Sequence, residues 1–379
     1  MSKADSQNLK LYMIAGEASG DLHGANLMKA LLAENPDIDF RFWGGDLMQE
    51  VAGKPVKHIK ELAFMGFVEV LMNLKTILTN IKFCKKDILD YKPDAIVLID
   101  YPGFNLRIAE WAKAQNIKVY YYISPQVWAW KQSRVHKIKR FVDEMFVILP
   151  FEKDFYKKFD FDVEYVGHPL LDAIEQYKKT EFSPQSFREK WNLGDKPVIA
   201  LLPGSRKQEV NVKLPIMLNA LKGMDQYEFI IAAAPSLDEN FYAPLISGKN
   251  IRIIHDATYD ILGISEAALV TSGTATLETA LLNVPEVVCY KGSPISYVIA
   301  KNLIKIKYIS LVNLIMDKEV VVELIQNECN AKRIRQELNL IIEGGSKRKQ
   351  VLDNYQELRE ILGGGGASKQ VAQSLLKTI

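Results

Sequence analysis

Cysteine is scarce in this 379-residue sequence, the net charge is close to zero, and no apolar run reaches transmembrane length. The three cysteines, Cys84, Cys289 and Cys329, show no paired spacing. They therefore argue against a disulfide framework and a thiolate metal site, and they fit a reducing compartment. A formal net charge of +2 gives no reason to expect a nucleic acid partner. Without a long apolar run, no helix is expected to span a membrane.

The sequence also lacks histidines at metal-ligand spacing and an apolar N-terminal stretch. None of the five histidines stands at such a spacing from another. His58, His136, His168 and His255 are each explained more simply as hydrogen-bonded structural residues. The first ten residues, MSKADSQNLK, contain no apolar signal-peptide core, so we expect a cytoplasmic protein, with attachment to a membrane surface left open.

What the sequence does contain is a repeated pattern of apolar strand, small-residue loop and helix. Residues 11–15 are a continuous apolar run typical of a buried parallel strand, and Gly16, Ser19 and Gly20 follow in a loop that permits close approach of a ligand. Ser19 and Asp21 are expected to cap the next helix, whose free N–H groups favour anions. Residues 197–221 repeat the pattern, which predicts two doubly wound α/β domains with a ligand cleft between them.

Further apolar runs alternate with helical or polar stretches in both halves of the chain, as in parallel sheets. We predict an N-terminal Rossmann-like domain over residues 1–170 and a C-terminal one over 171–345. Residues 346–379 are predicted to form helices that either pack back on the N-terminal domain or exchange with another subunit. The predicted strands of the two domains, beyond the first, are 40–43, 95–99, 119–123, 145–149, 198–202, 229–233, 251–254, 268–271 and 287–290.

Asp100 ends the apolar strand 95–99 and is followed at once by Pro102 and Gly103. Such a residue stands at the carboxyl edge of the sheet, where open α/β folds bind ligands. An aspartate that caps the following turn is the structural alternative, and the residues alone leave both open.

A second ligand loop is predicted at residues 271–285, where Ser272, Gly273 and Thr274 open a helix that carries Glu278 one turn later. Its N–H groups can hold a diphosphate while Glu278 accepts hydrogen bonds from a ribose. A Thr-capped core helix with an exposed glutamate is the structural alternative. We favour the functional interpretation because the loop LPGSR supplies Arg206, whose guanidinium matches phosphate geometry.

The stretch 61–86 crowds large apolar residues together ahead of several lysines. It is either a buried helix pair or a surface for acyl chains at a membrane interface. A basic run after Trp128 and Trp130 suits an anionic lipid surface, although a solvated helix face explains it as well. The apolar residues of this stretch are Phe64, Met65, Phe67, Val68, Leu71 and Met72.

Six segments taken together resemble lipid-A-disaccharide synthase, a GT-B type glycosyltransferase. They are GEASGDLHGA, FMGFVEVL, SPQVWAWKQSRV, LPGSRKQEV, SGTATLE and YISLVNLI, in this order across both halves of the chain. The resemblance implies inverting transfer of 2,3-diacylglucosamine from its UDP derivative to 2,3-diacylglucosamine 1-phosphate. The products are the β(1→6) lipid A disaccharide 1-phosphate and UDP.

The same resemblance implies the site residues. It places the catalytic carboxylate on Asp100. The acceptor's acyl chains need an apolar surface, for which 64–72 is the candidate. A basic contact to phosphate falls on Lys291 or Lys301, between which the sequence does not decide. The acceptor-sugar loop comprises Gly16, Glu17, Ser19, Gly20, Asp21 and His23, and the UDP site comprises Arg206, Ser272, Gly273, Thr274, Glu278 and Asn313.

No metal and no cofactor is expected, because helix N-termini and Arg206 can neutralise the departing diphosphate. The expected partners are the two acylated glucosamines, the inner-membrane surface and a second copy of the chain in a homodimer. Alternatives are a UDP-N-acetylglucosamine 2-epimerase, a polyprenyl-linked transferase and a non-catalytic lipid-binding scaffold. A dinucleotide oxidoreductase is disfavoured, because the first loop reads GEASGD and lacks the G-x-G-x-x-G spacing.

Overall fold

The computed structural model describes residues 8–62, 74–246, 251–293, 297 and 306–379. It divides the chain into a first unit, Met1–Pro169 with Gly365–Ile379, and a second unit, Leu170–Gly364. The apolar set from Phe64 to Met72 and Lys301 lie outside the described residues.

The described part of the first unit contains a seven-stranded parallel sheet in the order β3-β2-β1-β4-β5-β6-β7. Leu11 of β1 pairs with Phe40 of β2 on one side and with Ala95 of β4 on the other. The chain reverses its direction of winding between β1 and β4, so the carboxyl ends of these two strands form the topological switch point. The strands are β1 Lys10–Ala15, β2 Asp39–Gly44, β3 Lys57–His58, β4 Ala95–Ile99, β5 Lys118–Tyr122, β6 Glu144–Val147 and β7 Glu164–Tyr165.

Both faces of this sheet are covered, because residues along each strand alternate between two hydrophobic cores. In β1, Tyr12 and Ile14 enter one core, while Leu11 and Met13 enter the other. The helices of the first unit are Ala18–Glu34, Asp46–Ala52, Leu74–Tyr91, Pro102–Ala114, Val127–Trp130, Arg134–Phe141, Pro150–Lys157 and Ala367–Thr378, with a 3₁₀ turn at Ile59–Glu61.

The second unit has the same winding in a six-stranded parallel sheet of order β10-β9-β8-β11-β12-β13, counted over its described residues. Its switch point lies between β8 and β11. The strands are β8 Val198–Leu202, β9 Glu228–Ala233, β10 Arg252–His255, β11 Ser265–Thr271, β12 Glu286–Tyr290 and β13 Val322–Ile325. The helices are Pro169–Lys178, Pro184–Lys190, Lys207–Ala220, Glu239–Ile246, Thr258–Gly263, Thr274–Leu281, Leu311–Met316, Ala331–Ile341 and Arg348–Leu362.

The C-terminal segment is divided between the units. Helix Arg348–Leu362 belongs to the second unit, whereas helix Ala367–Thr378 belongs to the first and packs on helix Ala18–Glu34. Gly363 and Gly366, both at positive φ, connect the two helices. Residues 346–379 therefore do not act as one segment, because the buried stripe Val371, Ala372 and Leu375 joins the core of the first unit alone.

The prediction of two doubly wound α/β domains is confirmed by these two sheets. Strands β3, β7 and β13 were not predicted. β3 and β7 have two residues each and show no apolar pattern, and β13 is a four-residue strand. Within the described ranges, no helix is both long enough and apolar enough to cross a bilayer.

Candidate active site

The switch point of the first unit brings Gly16 and Asp100 to the same sheet edge. Gly16 follows β1 and Asp100 follows β4, and the last residues of these strands, Ala15 and Ile99, are register partners. Asp100 and Tyr101 both adopt left-handed backbone conformations, with φ of 43° and 49°. Each such residue costs about 1–3 kcal/mol, and the surrounding structure has to hold it in place.

The Asp100 carboxylate is partly buried and has a shifted pKa. Burial and, to a smaller extent, the negative charge of Glu17 raise its pKa to about 6 against the opposing effect of a hydrogen bond from the Tyr101 N–H. A carboxylate with a pKa near 6 is ionised at neutral pH and is a stronger base than an exposed aspartate. The structure thus gives Asp100 the properties of a general base.

Gly16 is required by the ring of Tyr101. A Cβ built on Gly16 would lie 2.3 Å from Cγ and 2.4 Å from Cδ1 of Tyr101. Any side chain at position 16 would therefore displace the tyrosine that follows Asp100. The left-handed Tyr101 and the glycine of the first loop form one packed unit.

The rest of the first loop is arranged differently from the expected capping pattern. Helix Ala18–Glu34 begins after Glu17, whose side chain makes no capping hydrogen bond, so Ser19 lies inside the first turn with Gly20. Asp21 is buried, and its carboxylate accepts hydrogen bonds from the N–H groups of Gly45 at 2.6 Å, Leu47 at 3.0 Å and Met48 at 3.1 Å. Asp21 therefore caps the neighbouring helix Asp46–Ala52.

The imidazoles of His23 and His168 both have lowered pKa values. Burial lowers the pKa of His23 to about 4, and burial with the nearby His23 lowers that of His168 to about 3. The His23 ring meets the Tyr122 ring edge-on, with centroids 6.5 Å apart. Among the described residues, its buried Nδ1 has no hydrogen-bond partner. Both histidines are thus poor proton acceptors at neutral pH.

The switch point of the second unit forms a pocket of about 520 Å³. The loop after β8 and the loop after β11 both line it, so that helices Lys207–Ala220 and Thr274–Leu281 begin at its wall. Two helix N-termini at one pocket provide uncapped N–H groups for an anion. Its lining includes Gly204, Ser205, Arg206, Ser272, Gly273, Thr274 and Glu278, with Ala232 to Pro235 and Thr258.

Arg206 adds a cation to this wall. Its side chain is 65% exposed, and its Nη1 lies 3.9 Å from Oε1 of Glu209. Glu209 in turn lies 4.0 Å from the buried ammonium group of Lys213 and beneath Gly204, where a Cβ would be 2.5 Å from Oε2. Because Gly204 has a φ of 121°, glycine is required here both by conformation and by space.

Glu278 lies on the same wall and is held by Tyr259. The Tyr259 hydroxyl donates to Oε1 of Glu278 at 2.8 Å, which leaves the second oxygen for another donor. Burial raises the pKa of Glu278, and the Tyr259 hydrogen bond opposes this effect. A carboxylate in this position can accept a hydrogen bond from a ribose hydroxyl.

Asn313 has a scaffold role in the structure. Its Nδ2 donates to the Val321 carbonyl and to Glu323 Oε1, and its Oδ1 accepts from the N–H groups of Val320 and Val321. These bonds use the full capacity of a buried amide, so none is left for a nucleotide. The network fixes the loop whose Ile309 carbonyl accepts a hydrogen bond from Ser272 at 2.9 Å.

Lys291 directly follows β12 at the same sheet edge but does not line the pocket. In the part of the chain that the structure describes, no group of three His, Cys, Asp or Glu side chains could hold a metal ion.

Sequence reasoning missed Tyr259, Lys213 and Asn105. Asn105 carried a readable signal, since it is a polar residue on the apolar stripe of helix Pro102–Ala114. Tyr259 carried none, because its partner Glu278 is remote in sequence. Lys213 carried none, because the burial of its helix face depends on packing.

Residues 11–376 match the family described as lipid-A-disaccharide synthetase. The chain belongs to the lipid-A-disaccharide synthase family. A synthase of Syntrophus aciditrophicus is 42% identical, with 98% of each chain covered. One of Trichlorobacter lovleyi is 38% identical, with 98% of this chain and 97% of the relative covered. The predicted family and glycosyltransferase activity are confirmed, with a UDP-sugar donor and an acceptor of lipid A synthesis as substrates.

Solved structures of lower identity share the fold of this chain. The UDP-GlcNAc 2-epimerase of Neisseria meningitidis bound to UDP-GlcNAc has a TM-score of 0.68 at 16% identity, covering 98% of this chain and 100% of its own. The calicheamicin glycosyltransferase CalG4 has a TM-score of 0.62 at 15% identity, covering 99% of each chain. These similarities confirm the predicted GT-B fold class.

Proposed function

We propose that the protein joins two acylated glucosamines. Asp100 acts on the acceptor, and the pocket of the second unit binds the UDP of the donor. The acceptor is 2,3-diacylglucosamine 1-phosphate, and the donor is UDP-2,3-diacylglucosamine. The 6-hydroxyl oxygen of the acceptor attacks the anomeric carbon of the donor and inverts it. The bond from that carbon to the β-phosphate oxygen breaks, and its electron pair leaves with UDP.

Asp100 is proposed to take the proton of the attacking hydroxyl. The observation that carries this role is a partly buried carboxylate on a strained main chain at the switch point, with a pKa of about 6. Asp21, the other buried aspartate of this edge, has its carboxylate occupied by three backbone N–H groups. Glu17 is exposed, and its charge raises the pKa of Asp100.

UDP is proposed to bind in the pocket of the second unit. The N–H groups at Ser205–Lys207 and Gly273–Ala275, together with Arg206, receive the charge that develops on the leaving diphosphate. Glu278, oriented by Tyr259, accepts a hydrogen bond from a ribose hydroxyl. This arrangement needs no metal, so we expect full activity in excess EDTA, whereas a loss that Mg²⁺ restores would contradict it.

The activity is tested by mass spectrometry of the product formed from the two acylated glucosamines. A disaccharide 1-phosphate and UDP in equal amounts support the proposal. A UDP-N-acetylglucosamine 2-epimerase would instead act on unacylated UDP-N-acetylglucosamine without an acceptor. A lipid-binding scaffold would release no UDP.

The membrane surface is proposed as a further partner, at the cytoplasmic side of the inner membrane. Helix Leu74–Tyr91 exposes Leu78, Phe83 and Leu89 among lysines, each at 45–50% exposure. Elsewhere in the first unit, Trp130 is 48% exposed and lies under the Arg134 guanidinium at 4.8 Å. Exposed apolar rings and chains beside cations suit anionic lipid headgroups.

Flotation with vesicles containing anionic lipid tests this partner. Leu78→Ser with Leu89→Ser is expected to reduce the bound fraction several-fold, whereas Ile361→Ser, at an exposed position of the second unit, leaves it unchanged. Equal binding of all three proteins would contradict the proposal. The predicted homodimer is tested separately by light scattering after size exclusion.

A further inference from the structure

The strained turn after β4 must be held by its surroundings. A non-glycine residue in the left-handed region is uncommon, and asparagine and aspartate tolerate it better than bulky residues do. The turn has two such residues in succession, and the second, Tyr101, is bulky. A conformation of this kind persists only where contacts over-determine it. Those contacts come mainly from Asn105 and Tyr121.

Asn105 lies one turn into the following helix and is completely buried. Its backbone N–H donates to the Tyr101 carbonyl at 3.0 Å. Its Nδ2 donates to the carbonyl oxygens of Asp100 at 2.8 Å, Ile99 at 3.2 Å and Ile14 at 3.5 Å. These carbonyls belong to the carboxyl ends of β4 and β1, so one amide group ties the turn to both strands of the switch point.

The main chain of Asp100 is also fixed from β5. Its N–H donates to the Tyr122 carbonyl at 3.1 Å, and the Tyr121 hydroxyl donates to its carbonyl oxygen. The hydrogen bond that lowers the pKa of the Asp100 carboxylate comes from the N–H of the adjacent Tyr101. Because this donor belongs to the same turn, the direction of the Asp100 side chain depends on the main chain.

We propose that Asn105 is a positioning residue for Asp100, which sets the direction of the carboxylate by holding the Asp100 carbonyl. The proposal rests on the proposed role of Asp100 as the base. Asn105 is too deeply buried to contact a substrate. Its Oδ1 is buried without a hydrogen-bond partner among the described residues, so leucine at this position removes an unsatisfied acceptor together with the clamp.

Asn105→Leu is expected to lower kcat by about 10- to 100-fold, because a small misplacement of a catalytic group has effects of this size. The KM for the UDP donor should stay within about twofold, since the donor's nucleotide is bound by the second unit. The acid limb of the rate profile should also move below pH 6. The released carboxylate gains solvent, while Glu17, Tyr101 and Tyr121 are the titratable groups that face it.

The decisive measurement repeats Asn105→Leu in an Asp100→Asn background. If Asn105 acts through Asp100, adding Asn105→Leu to the Asp100→Asn protein should change its residual kcat by no more than about twofold. An equal loss in both backgrounds, or an unchanged kcat and acid limb in the wild-type background, would overturn the proposal. Wild-type kcat in Asp100→Asn alone would refute the base assignment instead, so the two failures are distinguishable.

Tyr121→Phe keeps the test valid if Asn105→Leu does not fold. It preserves the buried ring and removes only the hydroxyl that donates to the Asp100 carbonyl. We expect a smaller fall in kcat, about 3- to 10-fold, with the acid limb shifted in the same direction. A folded Tyr121→Phe protein with wild-type kcat and pH profile would overturn the positioning of Asp100 through its carbonyl.

Discussion

The ring of Tyr101 occupies the space that a side chain at position 16 would need, with Cγ 2.3 Å from a Cβ built on Gly16. This relationship joins the loops after β1 and β4 at the switch point of the first unit. It explains why glycine opens the first loop although its backbone φ is not positive. The position of Tyr101 also determines that of Asp100, since both lie in the same strained turn.

Gly16→Ala is therefore expected to lower kcat by about 10- to 100-fold, because Tyr101 must move and Asp100 moves with it. The matched control is Gly103→Ala, in the first turn of helix Pro102–Ala114, where a Cβ meets no atom within 4 Å. Gly103→Ala should keep wild-type kcat and gain a little stability, since alanine favours a helix. Steady-state kinetics of both variants decide the matter, and equal activities would contradict the packing argument.

Asp100→Asn tests the proposed base directly. Asparagine tolerates the left-handed conformation and has the same shape, but it accepts no proton. General-base catalysis is worth about 10²- to 10⁴-fold in rate, so kcat should fall within that range. UDP affinity and melting temperature should stay close to wild type. A lower melting temperature with normal turnover would instead identify Asp100 as a structural cap.

The pH dependence of the wild-type enzyme follows from the same group. With a pKa raised to about 6, Asp100 is protonated below that pH and cannot accept the hydroxyl proton. We expect kcat/KM to be constant at neutral pH and to fall about tenfold per pH unit below pH 6. Glu17→Gln removes a negative charge that raises this pKa, so its acid limb should lie at lower pH than that of the wild type.

Arg206→Ala should weaken UDP binding by roughly 10- to 100-fold, the effect of losing one charge-assisted hydrogen bond to phosphate. Arg333→Ala is the matched control. Arg333 lies on helix Ala331–Ile341 and pairs with Glu328 and Glu337. Calorimetry with UDP gives both affinities. If Arg206→Ala and Glu278→Ala both bound UDP like the wild type, the nucleotide site would have to lie elsewhere.

Glu286→Gln should stabilise the protein. Glu286 is fully buried, and neither carboxylate oxygen has a hydrogen-bond partner among the described residues, so burial raises its pKa well above the usual value. Because this pKa is raised, the protein is most stable below about pH 4.5, where Glu286 is protonated in both the folded and the unfolded state. That stability is lost as the pH rises through the folded-state pKa. The gain on substitution should therefore be larger at pH 8 than at pH 4.

At pH 8 we expect a gain of about 1–3 kcal/mol in the free energy of unfolding. Glu323→Gln provides the opposite case, because its carboxylate accepts hydrogen bonds from the Ile309 and Ser310 N–H groups, the Ser310 hydroxyl and the Asn313 amide. That variant should be destabilised. Denaturant unfolding at both pH values measures the two effects, and a destabilised Glu286→Gln would contradict the account.

The sequence by itself determined the fold class, because strands buried on both faces are continuous apolar runs. Residues 95–99 and 198–202 are strands with the predicted bounds, and the loops after them lie at the predicted sheet edges. The small-residue loops also located the pocket of the second unit, since Arg206 and Thr274 both line it and stand at helix starts.

The tertiary structure alone decided what each polar side chain at those edges does. Asp21 and Asn313 read as ligand contacts in sequence, yet their partners are backbone groups of other loops. Asn105 and Tyr121 hold the Asp100 carbonyl, and burial sets the pKa of its carboxylate. Periodicity records which face of an element is apolar. It does not record which remote backbone groups a polar side chain meets, and only the packed chain supplies those partners.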